Sequence, residues 1–361
     1  MKNYPIFLLS LAAACLLIPS VQAQEKIKIG VSTPLTGDAA TYGVDTKNIL
    51  QFANEKLAGN AYELVFEDDR CNGRDAVAVA HRLVDVVKVK YVLGFPCSGA
   101  LLPSAPIYEK AKVLVIALGA SAAAISNSGD YIFRTWPSDT LAVQKLYTYI
   151  ASKHQRLGIL SEETDYAQAF LKSLIELNAD GKLQVDSESY VPSERDYRSM
   201  LLRLKAKGDQ AFLLNSQTEG TAAAILKDFK AMKWDVPIYN GFLAASPAFL
   251  KLVGAMANGI VFPDYPPAQE AYGVEGNTLL SEFIAKYGKL NSVDMTFSTG
   301  IESFRALHEA IKSGEDARTF LYKTRFKGVF GEWYFDKNGD IQGLTPVLKV
   351  IENQAAVSLP Q

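Results

Sequence analysis

Two serines in this chain follow consecutive apolar segments, and both stand where an anion could bind. Ser98 comes after KYVLGFPC, and Ser121 comes after VLVIALGA. Where a buried strand gives way to a helix, backbone N–H groups point outward without a partner and attract negative charge. Small residues beside both serines let a ligand approach the backbone, so the pair predicts capture of a carboxylate. An ordinary helix N-cap is the alternative for Ser98.

Aromatic and amide side chains at other predicted strand ends are candidates for the same site. Tyr42 lies in the loop TPLTGDAATYG before the first predicted helix, and Tyr166 precedes a helix in the second half. Each tyrosine offers an apolar wall with a polar tip, although packing or surface exposure explains either one equally well. Trp136, in RTWPSD, either lines a cleft or covers a crossover between domains. Gln217, in LLNSQTEG, follows another strand.

The N-terminus predicts export from the cytoplasm. Lys2 provides a short positive region, Ile6 to Ile18 is nearly all apolar, and small residues end at Ala23. This pattern is typical of a secretory signal, which we expect over residues 1–23 with cleavage after Ala23. A lipid anchor at Cys15 is the alternative, but the apolar run LLIPSV follows where a polar tether would be expected.

Cysteine use agrees with an oxidising compartment. Removal of the signal leaves Cys71 and Cys97 as the only pair. Two cysteines in such a compartment are expected to form a disulfide. Closing this loop would stabilise the fold by about 3–4 kcal/mol in the chain-entropy model. A zinc site is a poor alternative, because no second pair of cysteines lies nearby.

Composition argues against several classes of protein. The 361 residues include 37 basic and 39 acidic side chains, a net charge of −2, without long runs of one sign. Nucleic acid and anionic membranes are therefore poor candidates as partners. The chain has no GxSxG, P-loop or GxGxxG motif, and its histidines fall within or beside predicted helices: His81, His154 and His308. We expect no enzyme activity, no metal and no cofactor.

Short apolar strands alternate with amphipathic helices through residues 27–265. This alternation predicts an α/β fold with a doubly wound, mostly parallel sheet. The pattern restarts after Pro137, which indicates a second α/β domain of similar size. FPDYPP, at Phe262–Pro267, suits a linker, and the dipeptide Asn338-Gly339 predicts a hairpin between VFGEWYF and DIQGLTP.

Two α/β domains joined by extended segments predict a cleft that closes on a ligand by hinge motion. Open α/β sheets bind ligands at the carboxyl ends of their strands. The candidate serines, tyrosines and glutamine all follow such ends, so we expect the two domains to place them at one cleft.

Several segments together resemble a known family. IKIGVSTPLTGDAATYG, EDDRCN, YVLGFPCS, FRTWPSD and GEWYFDKNGD are similar, in order and spacing, to segments of the periplasmic solute-binding proteins of the Leu/Ile/Val-binding type, which serve ATP-driven (ABC) importers. The likeness implies the type I periplasmic binding fold, with two lobes and three crossovers near Thr135, Phe262 and Leu344. The lobes implied are residues 24–135 plus 263–343 for lobe 1, and 136–262 plus 344–361 for lobe 2.

The resemblance also implies roles for the candidate residues. Ser98 and Ser121, with the backbone near Gly119, would hold the carboxylate of the ligand. Tyr42 and Tyr166 would form cleft walls from opposite lobes. The family also implies the disulfide, a periplasmic location and a membrane permease as the partner. We expect a monomer that uses no cofactor.

One departure from the family concerns the amino group of the ligand. Amino-acid binders of this family carry an acid after a strand of the second lobe, where it binds the ammonium group, and here Phe242 stands at that place. A buried ammonium without an ion-pair partner is costly, and cation–π contact recovers only about 1–2 kcal/mol. Branched-chain or related amino acids are the ligand class that the family implies. A non-amine organic or aromatic acid, with Gln217 as a neutral hydrogen-bond partner, is the alternative.

Two other functions stay open from the sequence. A receptor domain that senses the ligand would use the same fold and the same cleft as a transport protein, so the sequence does not separate the two. A secreted hydrolase would need Ser98 or Ser121 as a nucleophile, but no histidine is predicted at a strand end beside either serine.

Overall fold

Two parallel-stranded sheets form from the alternating apolar and amphipathic segments. The computed structural model describes residues 25–265 and 273–359. The predicted signal segment 1–23, with Cys15, lies outside the described residues, and so do Pro266 and Pro267 of the predicted linker.

Strands and helices alternate along most of the chain, as the sequence predicted. The strands are β1 (Ile27–Thr33), β2 (Tyr62–Asp68), β3 (Tyr91–Gly94), β4 (Leu114–Ala117), β5 (Ile132–Arg134), β6 (Arg156–Glu162), β7 (Gln184–Tyr190), β8 (Phe212–Asn215), β9 (Ile238–Asn240), β10 (Val261–Asp264), β11 (Arg325–Gly328), β12 (Gly331–Phe335), β13 (Ile341–Gln342), β14 (Val347–Glu352) and β15 (Ala355–Ser358). The helices are α1 (Ala40–Ala58), α2 (Gly73–His81, continued by a π-helical turn), α3 (Ser98–Ala111), α4 (Asp139–Lys153), α5 (Asp165–Leu177), α6 (Arg198–Ala206), α7 (Glu219–Ala231), α8 (Pro247–Val253), α9 (Gly273–Tyr287), α10 (Met295–Ser313) and α11 (Ala317–Lys323).

The first sheet has five parallel strands in the order β2-β1-β3-β4-β5. Strand β4 is buried along its whole length, because helices cover both faces of the sheet. On one face α1 and α10 pack together, where Ile49 and Phe52 share a core with Phe297. On the other face lie α2 and α3. We call this sheet with its helices the first lobe.

The second sheet has seven strands in the order β15-β14-β10-β9-β8-β6-β7. Strands β10, β9, β8, β6 and β7 run parallel, whereas β14 and β15 add an antiparallel edge. Helices α4 and α5 cover one face. Helices α6, α7 and α8 cover the other, around a cluster of Phe212, Phe229 and Trp234. We call this sheet with its helices the second lobe.

The chain leaves the first sheet for the second at Thr135, after β5. The chain passes between the two sheets twice more, once after β10 and once between β13 and β14. The resemblance implied a second crossover near Phe262, and the structure adds that Val261–Asp264 pairs along its whole length with β14. Phe262 is also fully buried in the second core. Burial of this side chain outweighs the proline signal, so the chain leaves the second sheet only after Asp264.

A small antiparallel sheet completes the first lobe. The sequence predicted the hairpin between β12 and β13, and the structure confirms it. The N–H of Gly339 donates to the carbonyl oxygen of Asp336 at 3.0 Å, and Gly339 has a φ of 75°, which glycine adopts without steric cost. Strand β11, which the sequence analysis missed, adds to this sheet and stacks Phe326 on Trp333 at 4.4 Å between ring centroids.

Both candidate tyrosines lie inside helices rather than in the loops before them. Helix α1 begins at Ala40, so Tyr42 belongs to its first turn. Tyr166 is the second residue of α5, because Thr164 caps that helix by accepting a hydrogen bond from the N–H of Ala167 at 3.3 Å. The sequence analysis therefore placed the starts of these two helices slightly too late.

The predicted disulfide between Cys71 and Cys97 is confirmed, with 5.4 Å between the Cα atoms. It joins the loop after β2 to the residue that precedes α3. Among residues 25–265 and 273–359, no cluster of His, Cys, Asp and Glu could hold a metal ion. No helix in those ranges combines the length and the apolar character that crossing a membrane requires.

Candidate ligand-binding site

A cavity of about 80 Å³ lies between the carboxyl ends of the two parallel sheets. The first lobe lines it with Tyr42, Pro96, Ser98, Leu118, Gly119, Ser121, Val293 and Thr296. Trp136, after the first crossover, lines it together with residues of the second lobe: Tyr166, Ser216, Gln217, Glu219, Phe242 and Leu243. Both lobes contribute residues to this cavity, so a ligand bound in it would contact both of them.

All of the ligand-contact residues named from the sequence line this cavity. They are Tyr42, Ser98, Gly119, Ser121, Tyr166, Gln217 and Phe242. The topology explains why they meet, because each follows the carboxyl end of a parallel strand, and those ends share one edge of each sheet. Their contact with a ligand stays a prediction.

Ser98 ties two loops of the first lobe together. Cys97 occupies the N-cap position of α3, so the helix-cap interpretation of Ser98 is wrong. Its hydroxyl oxygen instead accepts hydrogen bonds from the backbone N–H groups of Ser121, at 3.2 Å, and Ala122, at 3.1 Å. A hydroxyl that accepts two hydrogen bonds still has its own hydrogen to donate. Ser98 therefore keeps a donor for a carboxylate in the cavity.

Ser121 uses its hydroxyl hydrogen on a buried acid. The hydroxyl donates to Oδ2 of Asp139 at 2.9 Å, and the N–H of Asp139 donates to the carbonyl oxygen of Ser121 at 3.0 Å. While Asp139 is ionised, Ser121 offers only lone pairs to the cavity, which differs from the sequence prediction. Once Asp139 takes up a proton, the acid can donate instead, and the Ser121 hydrogen becomes free for a ligand.

Replacing Asp139 by asparagine should flatten the pH dependence of stability. Burial raises the pKa of Asp139 from 3.8 to about 7, although the bond from Ser121 and the charge of Arg134 lower it. The folded chain thus binds this proton more tightly than the unfolded chain. The stability that Asp139 contributes is present below about pH 4 and is lost as pH rises through about 7.

Denaturant titrations at about pH 4.5 and 7.5 measure this difference. We expect the free energy of unfolding to fall between these pH values by roughly 2–4 kcal/mol more in the wild type than in Asp139→Asn. The exposed Asp235→Asn is the matched control and should follow the wild type. Equal pH slopes for the wild type and Asp139→Asn would contradict the raised pKa.

A tyrosine hydroxyl joins the lobes across the cavity. The hydroxyl of Tyr42 donates to the carbonyl oxygen of Gln217 at 3.1 Å, and the N–H of Gln217 donates to Oε2 of Glu162 at 2.6 Å. Burial raises the pKa of Tyr42 well above its usual value, so the phenol stays a neutral donor. These bonds describe a closed arrangement of the lobes, in which Gln217 acts through its backbone rather than its side chain.

Aromatic rings cluster where the family's acid would stand. Phe242 lies edge-on to Trp136, at 5.6 Å and 88°, and stacks on Tyr265, at 6.0 Å and 10°. Trp136 lines the cavity and also follows the first crossover, so both sequence interpretations of this residue apply. The hydroxyl of Tyr166 lies near the backbone of Phe242. Aromatic rings therefore line the cavity around Phe242.

Gly119 allows the loops after β3 and β4 to approach each other closely. A Cβ atom at this position would lie 2.8 Å from the Cα atom of Pro96 and 3.0 Å from its carbonyl oxygen. Backbone atoms cannot rotate aside as a flexible side chain can. The two loops that carry Ser98 and Ser121 keep their spacing only because this residue is glycine.

The structure adds an acid that the sequence analysis missed. Glu219 is the first residue of α7, is 4% exposed and lines the cavity. Its carboxylate accepts a hydrogen bond from Oγ of Ser246 at 2.9 Å. The hydroxyl of Tyr42, which donates to the carbonyl oxygen of Gln217, lies beside this carboxylate. Burial raises the pKa of Glu219 more than these bonds lower it. In the sequence, it looks like any acid in the first turn of a helix.

The other missed wall residues divide into two groups. Some are neighbours of residues named from the sequence: Pro96, Leu118, Ser216 and Leu243. Val293, just before α10, and Thr296, in its first turn, lie far along the chain, and the packing of α10 against α1 brings them to the cavity. No local pattern in the sequence indicates this packing.

The chain matches known proteins over almost its whole length. A family model described as periplasmic binding protein matches residues 26–351. The Leu/Ile/Val-binding protein of Escherichia coli K12 is 24% identical over 349 residues, covering 92% of this chain and 94% of that protein. The structure of a leucine-binding protein from Thermotoga maritima matches with a TM-score of 0.84 at 22% identity, covering 92% and 98% of the two chains. An ABC-transporter solute-binding protein from R. palustris, in complex with benzoate, matches with a TM-score of 0.82 at 15% identity, covering 93% and 96%.

Proposed function

This chain belongs to the periplasmic binding protein family, and we propose that it is the solute-binding component of an ABC importer that captures a small carboxylate between its lobes. The proposed partner is a membrane permease. We further propose that the protein acts as a monomer in the periplasm, after cleavage of the signal at Ala23, and that it does not alter its ligand chemically.

The observation that carries this proposal is the position of the cavity between the lobes. Helices of both lobes begin at its wall, and within the described residues five of them place a first-turn residue there: Tyr42, Ser98, Tyr166, Glu219 and Thr296. The N-terminus of a helix carries a partial positive charge. The donor at Ser98 therefore stands in a field that favours an anion.

Ligand capture by such a protein requires only that the closed state bind the ligand more tightly than the open state. The hydrogen bond from Tyr42 to Gln217 joins the lobes, but one neutral hydrogen bond contributes only about 0.5–1.5 kcal/mol. A ligand that contacts both walls adds the remaining stabilisation of the closed state. We propose that the crossover segments, beginning with Thr135, act as the hinge.

The relatives suggest two classes of ligand. The E. coli relative is named for leucine, isoleucine and valine, and the R. palustris protein was solved with benzoate. The cluster of Trp136, Phe242 and Tyr265 favours the second class for this chain, because it places rings where an ammonium group would need an acid. We therefore keep a non-amine aromatic or organic acid beside the branched-chain amino acids.

Thermal-shift measurements on the mature protein test the proposal. We expect at least one of leucine, isoleucine, 4-methylpentanoate and benzoate to raise Tm by a few degrees, because ligand at about 100 times Kd stabilises by about 2.7 kcal/mol. Leucine and 4-methylpentanoate differ only in the amino group, so their comparison isolates it. Leucinamide, which lacks the carboxylate, is the control. No response to any of the four carboxylates would refute the proposal.

A further inference from the structure

Ser246 makes a further hydrogen bond between the lobes. It caps α8 of the second lobe, and its Oγ lies 3.0 Å from the carbonyl oxygen of Asn291, which belongs to the first lobe. The backbone N–H of Ala248 donates to the same carbonyl oxygen at 3.1 Å. These contacts cross from one lobe to the other, as the bond from Tyr42 to Gln217 does. Opening of the lobes would therefore break them.

The hydroxyl of Ser246 has two acceptors beside it but only one hydrogen. Its Oγ lies 2.9 Å from Oε1 of Glu219 and 3.0 Å from the carbonyl oxygen of Asn291. A hydroxyl donates one hydrogen bond and accepts up to two. If Glu219 is ionised, neither acceptor has a hydrogen of its own, so one of the two contacts brings only oxygen lone pairs together. Leaving a buried acceptor without a hydrogen is costly.

A proton on Glu219 satisfies every contact of Ser246. The protonated acid donates to Oγ of Ser246, which also accepts from the backbone N–H of Phe249 at 3.5 Å. Ser246 then donates its own hydrogen to the carbonyl oxygen of Asn291. One donated and two accepted hydrogen bonds are the full capacity of a hydroxyl. The closed arrangement of the lobes therefore matches the protonated form of Glu219.

The charges around Glu219 also favour its protonated form. Burial raises the pKa of this acid more than its hydrogen bonds lower it, and the nearby Asp45 raises the pKa further. Asp45, in α1, accepts four hydrogen bonds from Asn291 and Ser292, as an ionised carboxylate does. It thus holds the segment that carries the carbonyl oxygen of Asn291 and places a negative charge near Glu219.

The other groups that face Glu219 compensate little for its burial. The hydroxyl of Tyr42 lies beside the carboxylate but donates to the carbonyl oxygen of Gln217. Glu162, from β6, accepts the N–H of Gln217 and adds a second acid near Tyr42. No ion pair of residues 25–265 and 273–359 includes Glu219. An ionised Glu219 would thus compete with backbone carbonyl oxygens for the hydroxyl hydrogens, without a paired cation among these residues.

We propose that Glu219 is a positioning residue that takes up a proton when the lobes close and releases it when they open; for ligand capture, this rests on the function proposed above. The proton comes from the solvent. In the closed state Glu219 donates it to Ser246, which frees the hydrogen of Ser246 for Asn291. When the lobes part, water hydrates Glu219, the acid ionises, and Ser246 donates to it instead.

The pH dependence of ligand affinity tests this proton exchange. Because the closed protein binds the proton more tightly than the open protein, the affinity gained is present at low pH and is lost as pH rises. One linked proton changes affinity by up to about tenfold per pH unit. Isothermal titration calorimetry with leucine, 4-methylpentanoate and benzoate, between about pH 5.5 and 8, measures the change. Repeating it in phosphate and Tris, which differ in their heats of ionisation, counts the protons taken up.

Glu219→Gln imitates the protonated acid, because its amide group donates to Ser246 at every pH. We expect the dissociation constant of the wild type to rise over this pH range at least about fivefold more than that of Glu219→Gln. Glu219→Leu, which has no group to titrate, should give the same flatter profile and decides the question if Glu219→Gln does not fold. Asp139 titrates in the same range, but it is present in every variant, so the comparison removes its contribution.

The matched control is Glu163→Gln, an exposed acid of the same lobe that does not line the cavity, and it should follow the wild type. Equal pH profiles for the wild type and Glu219→Gln would overturn the role of Glu219 and leave the proposed function standing. Affinity that rises with pH only while Glu219 is present would show that the closed state holds the ionised acid, which also overturns it.

Absence of binding to any of these carboxylates would count against the proposed function, and closure of the ligand-free protein would then decide the role of Glu219. Small-angle X-ray scattering at about pH 5.5 and 8 measures closure through the radius of gyration. We expect this radius to increase with pH in the wild type, because the lobes part, and to stay constant in Glu219→Gln. The same response in both proteins would overturn the proton exchange.

Discussion

Replacing Ser98 by alanine is expected to weaken ligand binding at least about tenfold, or about 1.4 kcal/mol, and to lower the stability of the protein. The hydroxyl oxygen accepts two buried N–H groups, from Ser121 and Ala122, and the variant leaves both without a partner. An unpaired buried donor costs about 1–3 kcal/mol. The variant also removes the hydrogen that Ser98 can donate to a carboxylate. Titration calorimetry and denaturant unfolding measure the two effects.

Ser104→Ala is the matched control for this prediction. Ser104 is buried in the same helix, but its hydroxyl donates to the carbonyl oxygens of Ala100 and Leu101 within α3, and it does not line the cavity. We expect its ligand affinity to stay within about twofold of the wild type. Wild-type affinity in Ser98→Ala would remove this serine from the site, even if stability falls as predicted.

Loss of the disulfide should have the largest effect on stability. The double variant Cys71→Ser/Cys97→Ser frees a loop closed across 26 residues of sequence separation. We expect the free energy of unfolding to fall by about 3–4 kcal/mol in the chain-entropy model. Cys97 directly precedes Ser98 at the start of α3, so ligand affinity should fall as well. Denaturant titration and calorimetry on the same samples measure both quantities.

The wild type with its disulfide reduced serves as the control, because its side chains differ from those of the native protein only at the two sulfurs. Reduced wild type and the double variant should lose similar stability. A double variant as stable as the oxidised wild type would show that the crosslink does not constrain the unfolded chain. Full ligand affinity in a folded double variant would show that the start of α3 keeps its position without the crosslink.

Local patterns in the sequence predicted much of the first lobe and its share of the site. The apolar runs before Ser98 and Ser121 become β3 and β4, and the residues after them reach the cavity. A buried parallel strand needs near-continuous apolar character, so it is visible in a short stretch of sequence. Phe242, which follows β9, was identified instead through the resemblance to the family. The proline-rich composition at Phe262–Pro267 suited a linker, whereas Val261–Asp264 pairs as a strand with β14.

The sequence by itself determined the alternation of elements, the strand ends, the disulfide and the small residue at Gly119, because each depends on the local chain or on the cysteine count. Only the tertiary structure decided which acid reaches the cavity and how the serines use their hydroxyls. Glu219 meets Tyr42, and Ser121 meets Asp139, through elements that lie far apart in the chain or across a crossover. Burial and hydrogen-bond partners depend on such packing, so no short segment carries this information.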